Sequence, residues 1–426
     1  MKKTQILVLG ALTLISIAAK AQDINLDEPQ KDSITLMREQ IEGNSSSIKG
    51  LQKLKVSGYI QTEMEVGQQN AELKTGANSG KYSQAIDGDH TNFLRYGIRR
   101  GRIKFQYTQG IANGVFELDI NEGGIKPKNA YLQVTDPYVE MFSLKAGLFD
   151  VCFGDEVAYS SSALESPERS LVIQKLFPDE KDLGGVLTIA AQKNTTFDGL
   201  KLDLGLVSGS TISKDDDGRL NFVSHLKYDK AFSTMSYGLG ASFYSGSTNN
   251  SDTMLYTVKD GAWVSQKTQA NQTNKRQYFG LDGQFSFETA MGMTSLRAEY
   301  ISGQQPSVAG DLKSPVGNTY TDKFNYKRKF QGGYLYFIQD IYHTPLTFVL
   351  KYSWLDNNTE LKGDQITNKA DLALSTIGVG CYWRINSALR LTAFYDINTN
   401  EKTAAIAKYS RDVLDNVFTL RLQYKF

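Results

Sequence analysis

Residues 417–426 alternate without a miss: Phe418, Leu420, Leu422, Tyr424 and Phe426 against Thr419, Arg421, Gln423 and Lys425. Successive side chains of an extended strand point to opposite faces. This stretch therefore has one oily, aromatic face and one wet, cationic face. It belongs in a sheet with apolar material on one side and water on the other. The expectation is that this stretch is the closing strand of a membrane barrel.

The same two-residue period recurs along the chain. It predicts strands at residues 56–66, 96–107, 112–121, 126–135, 138–148, 184–191, 200–207, 220–228, 234–245, 277–287, 294–302, 330–340, 346–355, 372–383, 388–398 and 416–426. In 200–207, for example, Leu200, Leu202, Leu204 and Leu206 alternate against Lys201 and Asp203. Sixteen such segments, each near the ~10 residues of a membrane strand, form an even set. The connections alternate long and short: 67–95 long, 108–111 short, 149–183 long, 247–276 long, 288–293 short, 303–329 long, 341–345 short. Only 122–125 breaks the pattern. Short turns on one rim and long loops on the other define an up-and-down barrel. The expected fold is all-β, a transmembrane antiparallel β-barrel of about 16 strands. Trp354 and Trp383 fall at strand ends, where interfacial aromatic belts lie.

The amino terminus reads differently. Met1-Lys2-Lys3, an apolar run over 6–19 and Ala19-Lys20-Ala21 form a secretory signal covering residues 1–21. In 22–54, Ile34, Met37, Ile41, Asn44, Ile48 and Leu51 keep a 3-4 heptad spacing. That predicts a short periplasmic coiled coil in which Asn44 fixes the register. Residues 55–426 are then the barrel domain. The formal charge is +1, and losing Lys2, Lys3 and Lys20 makes the remainder slightly acidic, which argues against a nucleic-acid partner. Cys152 and Cys381 are the only cysteines and give no disulfide framework.

Catalysis finds little support. His90, His225 and His343 are the only histidines, and none has metal-ligand spacing around it. His225 faces inward, yet no G-x-S-x-G or equivalent accompanies it. No enzyme activity, cofactor or metal is expected. A plugged transporter would need far more chain than 22–55 ahead of the barrel.

Sixteen strands enclose a water-filled lumen, so the polar face of each strand becomes the pore wall. Candidate wall residues are Arg100, Arg102, Lys104, Glu117, Asp119, Lys201, Arg297, Lys351 and Arg421. Arg100, Arg102 and Lys104 could serve as a cationic ladder for anions. They could equally pair with Glu117 and Asp119 on the next strand. The segment 149–183 is long and carries Leu171, Val172, Ile173 and Leu176, which an outside loop has little use for. It is expected to fold inward as a constriction loop, with Asp150, Asp155, Glu156, Glu165, Glu168 and Arg169 as its candidate charged residues. With Asp179, Glu180 and Asp182 it holds eight acids against Arg169, Lys175 and Lys181. Charge at a constriction acts at short range, so that excess predicts weak or cation-leaning selectivity.

Fragments in order along the chain resemble the phosphate-selective porin O and P family of Gram-negative outer membranes. They include Arg99-Arg100-Gly101-Arg102, Asn129-Ala130-Tyr131, Ala146-Gly147-Leu148-Phe149 through Phe153-Gly154, Ser160-Ser161-Ser162 and Glu168-Arg169. Lys181-Asp182-Leu183-Gly184, Tyr278-Phe279-Gly280-Leu281-Asp282, Ala298-Glu299-Tyr300, Gln331-Gly332-Gly333-Tyr334 and Lys351-Tyr352-Ser353 continue the series. Asp150, Cys152 and Lys181 depart from the family pattern. The resemblance implies an outer-membrane location, a homotrimer, and small hydrophilic solutes or anions such as phosphate as cargo. The expectation carried forward is a channel for passive diffusion. The alternatives are a phosphate- or anion-selective porin, and a surface-binding, adhesin-like barrel using 247–276 and 303–329.

Overall fold

The computed structural model describes residues 50, 52–75, 80–81, 92–213, 218–250, 252–269, 272–312, 314 and 323–426. The expected signal, and all but residues 50 and 52–54 of the expected coiled coil, lie outside these.

Twenty strands occur in chain order. They are β1 (Leu54–Gln68), β2 (Glu72–Leu73), β3 (Gly80–Lys81), β4 (Asn92–Gln109), β5 (Ala112–Asn121), β6 (Gly124–Thr135), β7 (Phe142–Asp150), β8 (Lys181–Ala190), β9 (Leu200–Val207) and β10 (Asn221–Ala231). Then come β11 (Met235–Asn249), β12 (Met254–Lys259), β13 (Ala262–Lys267), β14 (Thr273–Thr289), β15 (Gly292–Ser307), β16 (Tyr326–Asp340), β17 (Leu346–Asp356), β18 (Ala373–Arg384), β19 (Leu389–Asn400) and β20 (Val417–Lys425). Setting aside the small pairs β2–β3 and β12–β13, sixteen strands follow one another antiparallel. β1 pairs with β20 to close the ring, Glu63 opposite Arg421. Backbone bonds between Gly58 and Phe426 seal the seam, at 2.9 and 3.0 Å. Closure leaves none of the sixteen barrel strands as an edge to pair with another chain.

The alternation sorts as the period requires. Leu132, Leu239 and Leu281 point outward with more than 60% of their surface exposed, while Gln61, Glu63, Arg421 and Gln423 point inward and are buried. An oily exterior around a polar interior is the inverse of a water-soluble barrel.

All sixteen expected strands correspond to barrel strands, with three corrections. The fifth starts at Phe142 rather than at 138. Asp136 bends residues 136–141 into a turn, its carboxylate accepting from the Tyr138 and Val139 N–H groups at 3.0 and 3.1 Å. The sixth begins three residues early, at Lys181, because Asp150 pairs opposite it. The expected loop 247–276 contains the hairpin β12–β13, turned on Asp260 and Gly261, both at positive φ. Two positive-φ residues suit the tight turn that matches strand twist.

The long loops on that rim are tied together. Arg328 and Asp371 form a fully buried pair at 2.8 Å, and the Trp263 indole N–H donates to the same carboxylate at 3.0 Å. Leu361, Ile366 and Leu372 pack with Val258, Trp263 and Tyr409 beside it.

Candidate functional site

Between β7 and β8 the chain leaves the wall and crosses the lumen before returning. Asp150 and Lys181 join in an ion pair at its neck. One helical turn, α1 (Leu171–Leu176), buries Val172, Ile173 and Leu176. These side chains, with Phe153, Val157 and Phe177, pack on Val207, Val223, Tyr244, Tyr278, Ile301, Phe330 and Leu355 of the wall. Phe177 meets Phe153 at 5.2 Å and Tyr278 edge-on at 5.9 Å. Each fully buried side chain of this kind contributes about 1.5–3 kcal/mol, enough to hold a thirty-residue excursion inside. The inward course predicted from the apolar run is the one observed.

The other half of the loop docks by charge. Glu168 receives Arg99 at 2.7 Å, Arg100 at 3.0 Å and Arg421 at 3.5 Å. Gln61 pairs with Arg100 and Thr62 with Ile98, so Arg99 is an extra residue in β4. This bulge re-aims Arg99 and brings two consecutive arginines onto one carboxylate. Burial opposes ionisation of Glu168, but Arg100, Arg99 and Arg421 outweigh it and hold the carboxyl well below its usual range. Glu63 bonds Arg421 from the other side.

Further pairs complete the docking. Asp155 takes Lys227 at 2.8 Å, and Glu180 takes Arg169 at 3.1 Å with Lys128 at 4.0 Å. Glu165 takes Arg297 at 2.6 Å, whose guanidinium lies over Tyr159 and Tyr336 at 4.2 and 4.8 Å. Glu156 accepts from the Ser170 N–H, the Ser170 hydroxyl and the Tyr336 hydroxyl. Lys351 donates to the Glu168 and Arg169 carbonyls at 2.8 and 3.2 Å, and Arg390 to the Leu164 carbonyl at 3.0 Å.

Six wall cations, Arg99, Arg100, Lys128, Lys227, Arg297 and Arg421, pair with four of the loop's eight acids, three of them on Glu168 alone. Asp150 pairs with Lys181, while Glu156 and Asp182 accept from neutral hydroxyl and N–H donors. Paired charges in close contact present little net field to a passing ion, so the loop's field is smaller than its count of acids.

At the start of the loop the roles reverse, and the wall supplies the acceptor. Gly154 sits at φ +60°, which turns the next two N–H groups, of Asp155 and Glu156, onto one Glu299 oxygen at 3.3 Å each. Successive N–H groups of this kind form an anion nest. Tyr334 donates to the same Glu299 oxygen at 3.1 Å, and the Gly154 N–H donates to the Ser242 hydroxyl at 2.8 Å.

The expected wall residues divide into two groups. Arg100, Arg297, Lys351 and Arg421 are buried against the loop. Arg102, Lys104, Glu117, Asp119 and Lys201 lie on β4, β5 and β9. Arg102 is 3.8 Å from Glu117 and 3.6 Å from Asp119, the cross-strand pairing rather than a free ladder. Lys104 has no ion pair among the described residues, and Lys201 pairs with Asp203 at 2.8 Å while 49% exposed. Lys145, absent from the expected set, faces the same space over the Tyr131 ring at 5.0 Å. Its place in the alternation of 142–150 was the available signal.

The one inward histidine does not form a nucleophile–base pair. His225 Nε2 lies 2.9 Å from Asp282, and although Ser242 is opposite His225 in register, no hydrogen bond joins them among the described residues.

No protein-family model and no curated protein matches the chain. Solved structures do. The outer membrane channel DcaP of Acinetobacter baumannii is similar at 13% identity, over 88% of this chain and 97% of that one, with a TM-score of 0.53. The anion-selective porin from Comamonas acidovorans is similar at 10% identity, over 88% and 99%, with a TM-score of 0.52. OmpF of Salmonella typhi, in complex with daunomycin, is similar at 15% identity, over 88% and 97%, with a TM-score of 0.55. At these identities the common property is the sixteen-stranded barrel.

Proposed function

We propose that this chain is an outer-membrane porin, a water-filled channel for passive diffusion of small hydrophilic solutes and ions. The observation that carries the reading is an oily-sided barrel whose polar lumen is narrowed by a loop pinned to its wall. The outward leucines and aromatics match lipid, and the inward acids, amides and bases match water.

Selectivity is weak in this reading, because five of the loop's eight carboxylates are paired with cations. Lys104 and Lys145, which pair with no carboxylate among the described residues, give what preference remains, and it is for anions. A phosphate-specific channel is the second reading. It rests on the order of the Arg99–Arg102 and Glu168-Arg169 fragments; against it, Arg99 and Arg100 are bound to Glu168, Arg102 lies beside Glu117 and Asp119, and Arg169 is bound to Glu180. A trimer, with the heptad segment assisting, is proposed alongside. The tied outer loops favour a surface-binding role only if the lumen proves sealed.

Planar-bilayer recording of the refolded protein tests this directly. Discrete, ohmic conductance steps in KCl are expected, with no block by micromolar phosphate. Absence of steps would overturn the channel, and phosphate block would establish the second reading.

A further inference from the structure

On the short-turn side of the loop the wall has a recess of about 190 Å³. It lies between the loop residues Tyr159 and Glu165 and the lumen faces of β14, β15, β16 and β18 near their short turns. It holds about six water molecules, or one solute of that bulk.

Its charges are already matched. Arg297 bonds Glu165 at 2.6 Å at one end, and Arg384 bonds Asp340 at 3.1 Å at the other. An ion entering would have to displace a partner from one of these pairs. The unused capacity is hydrogen bonding of both signs on flat groups. Each guanidinium has N–H groups beyond the one bonded to its carboxylate. Ser286 and Ser295 share a bond at 2.8 Å across the strands and keep further capacity, and the Gln284 carbonyl is on the same wall. Tyr382 adds an aromatic face, with Arg384 and Arg390 held 5.0 and 5.1 Å from its centre.

Planar donors and acceptors in pairs, one aromatic face and no spare charge are complementary to adjacent hydroxyls on a compact, uncharged ring. We infer that this recess is a weak binding subsite for a neutral polyhydroxylated solute of monosaccharide size, occupied from the lumen. The inference rests on the channel reading above for how the solute arrives. Binding there would retain one ring at a time beside the loop and raise the local concentration of sugars over ions of similar size.

Saturation-transfer NMR on the folded barrel in detergent, with D-glucose as probe, reads the site without needing current. Transfer to the glucose ring protons is expected. Ser295→Phe, which fills the recess and removes no member of either ion pair, should abolish it. Gln284→Ala, the milder variant should the first misfold, should weaken it at least threefold. Unchanged transfer in both variants would overturn the subsite. Ohmic conductance with no variant-sensitive glucose signal sinks this inference alone. A variant-sensitive glucose signal with no conductance sinks the channel reading and leaves the subsite standing.

Discussion

Arg421 and Lys201 are both bases that face the lumen on the two-residue period, Arg421 at the middle of β20 and Lys201 one residue into β9. Arg421 is 1% exposed and bonded to Glu63, Glu168 and the Pro167 carbonyl; Lys201 is 49% exposed beside Asp203. The difference is the loop, not the strand. Along β14 to β20, and across the seam to β1 and the Arg99–Arg100 bulge, the wall is a docking surface whose bases are satisfied by loop carboxylates and carbonyls. Lys104 on β4 and Lys145 on β7 pair with no carboxylate among the described residues, and there a base can still act on a passing ion. Counting charges by sequence position therefore misjudges the channel. What matters is which wall the loop leaves alone.

Glu168→Ala breaks the comparison hardest. It strands Arg99, Arg100 and Arg421 in a buried site, and removing one partner of such a cluster costs about 3–5 kcal/mol. The folded barrel should lose its heat-modifiable gel shift at a clearly lower temperature, and its conductance should become larger and noisier. The sign of the pH effect follows from the lowered Glu168 pKa. The stabilisation is present above the ordinary carboxylate range and is lost in strong acid, as pH falls through the folded value. An unchanged melting profile from neutral to strongly acid pH would remove Glu168 from the account. Glu299→Gln keeps the shape and replaces the carboxyl acceptor of the nest with an amide. About 1–3 kcal/mol of loop-start stability should go, seen as faster hydrogen exchange at the Asp155 and Glu156 amides with the barrel intact. Tyr336→Phe removes the bonds to Ser166 and Glu156, for about 0.5–1.5 kcal/mol, and a melting shift half that of Glu299→Gln or less is expected. Lys104→Glu belongs to the other wall. Its stability effect should stay within about 0.5 kcal/mol, while the reversal potential moves toward cations.

The fold was legible because a strand with water on one face and lipid on the other writes its period into every second residue. What escaped were the places where that period slips. Arg99 is invisible as an inward residue because the β4 bulge breaks the count, and Lys128 lies at a second irregularity, between Glu117–Asn129 and Leu118–Pro127. The hairpin β12–β13 did carry a signal, Asp260-Gly261 between two apolar-polar runs, which a search for membrane-length strands passes over. The inward path of the loop could be read from Leu171 to Leu176. Its neutralisation could not. Glu168 and Arg421 are separated by 253 residues, Glu165 and Arg297 by 132, and only the closed ring brings them together.

The central claim is that most of the loop's acids are paired with cations, leaving selectivity to the free wall. The reversal potential across a KCl gradient, for the native channel and for Lys104→Glu combined with Lys201→Glu, tests it most directly. The account predicts a weak anion preference in the native channel and a clear swing toward cations in the double variant. A strong cation preference in the native channel, unmoved by the two substitutions, would mean that the loop's carboxylates govern permeation after all.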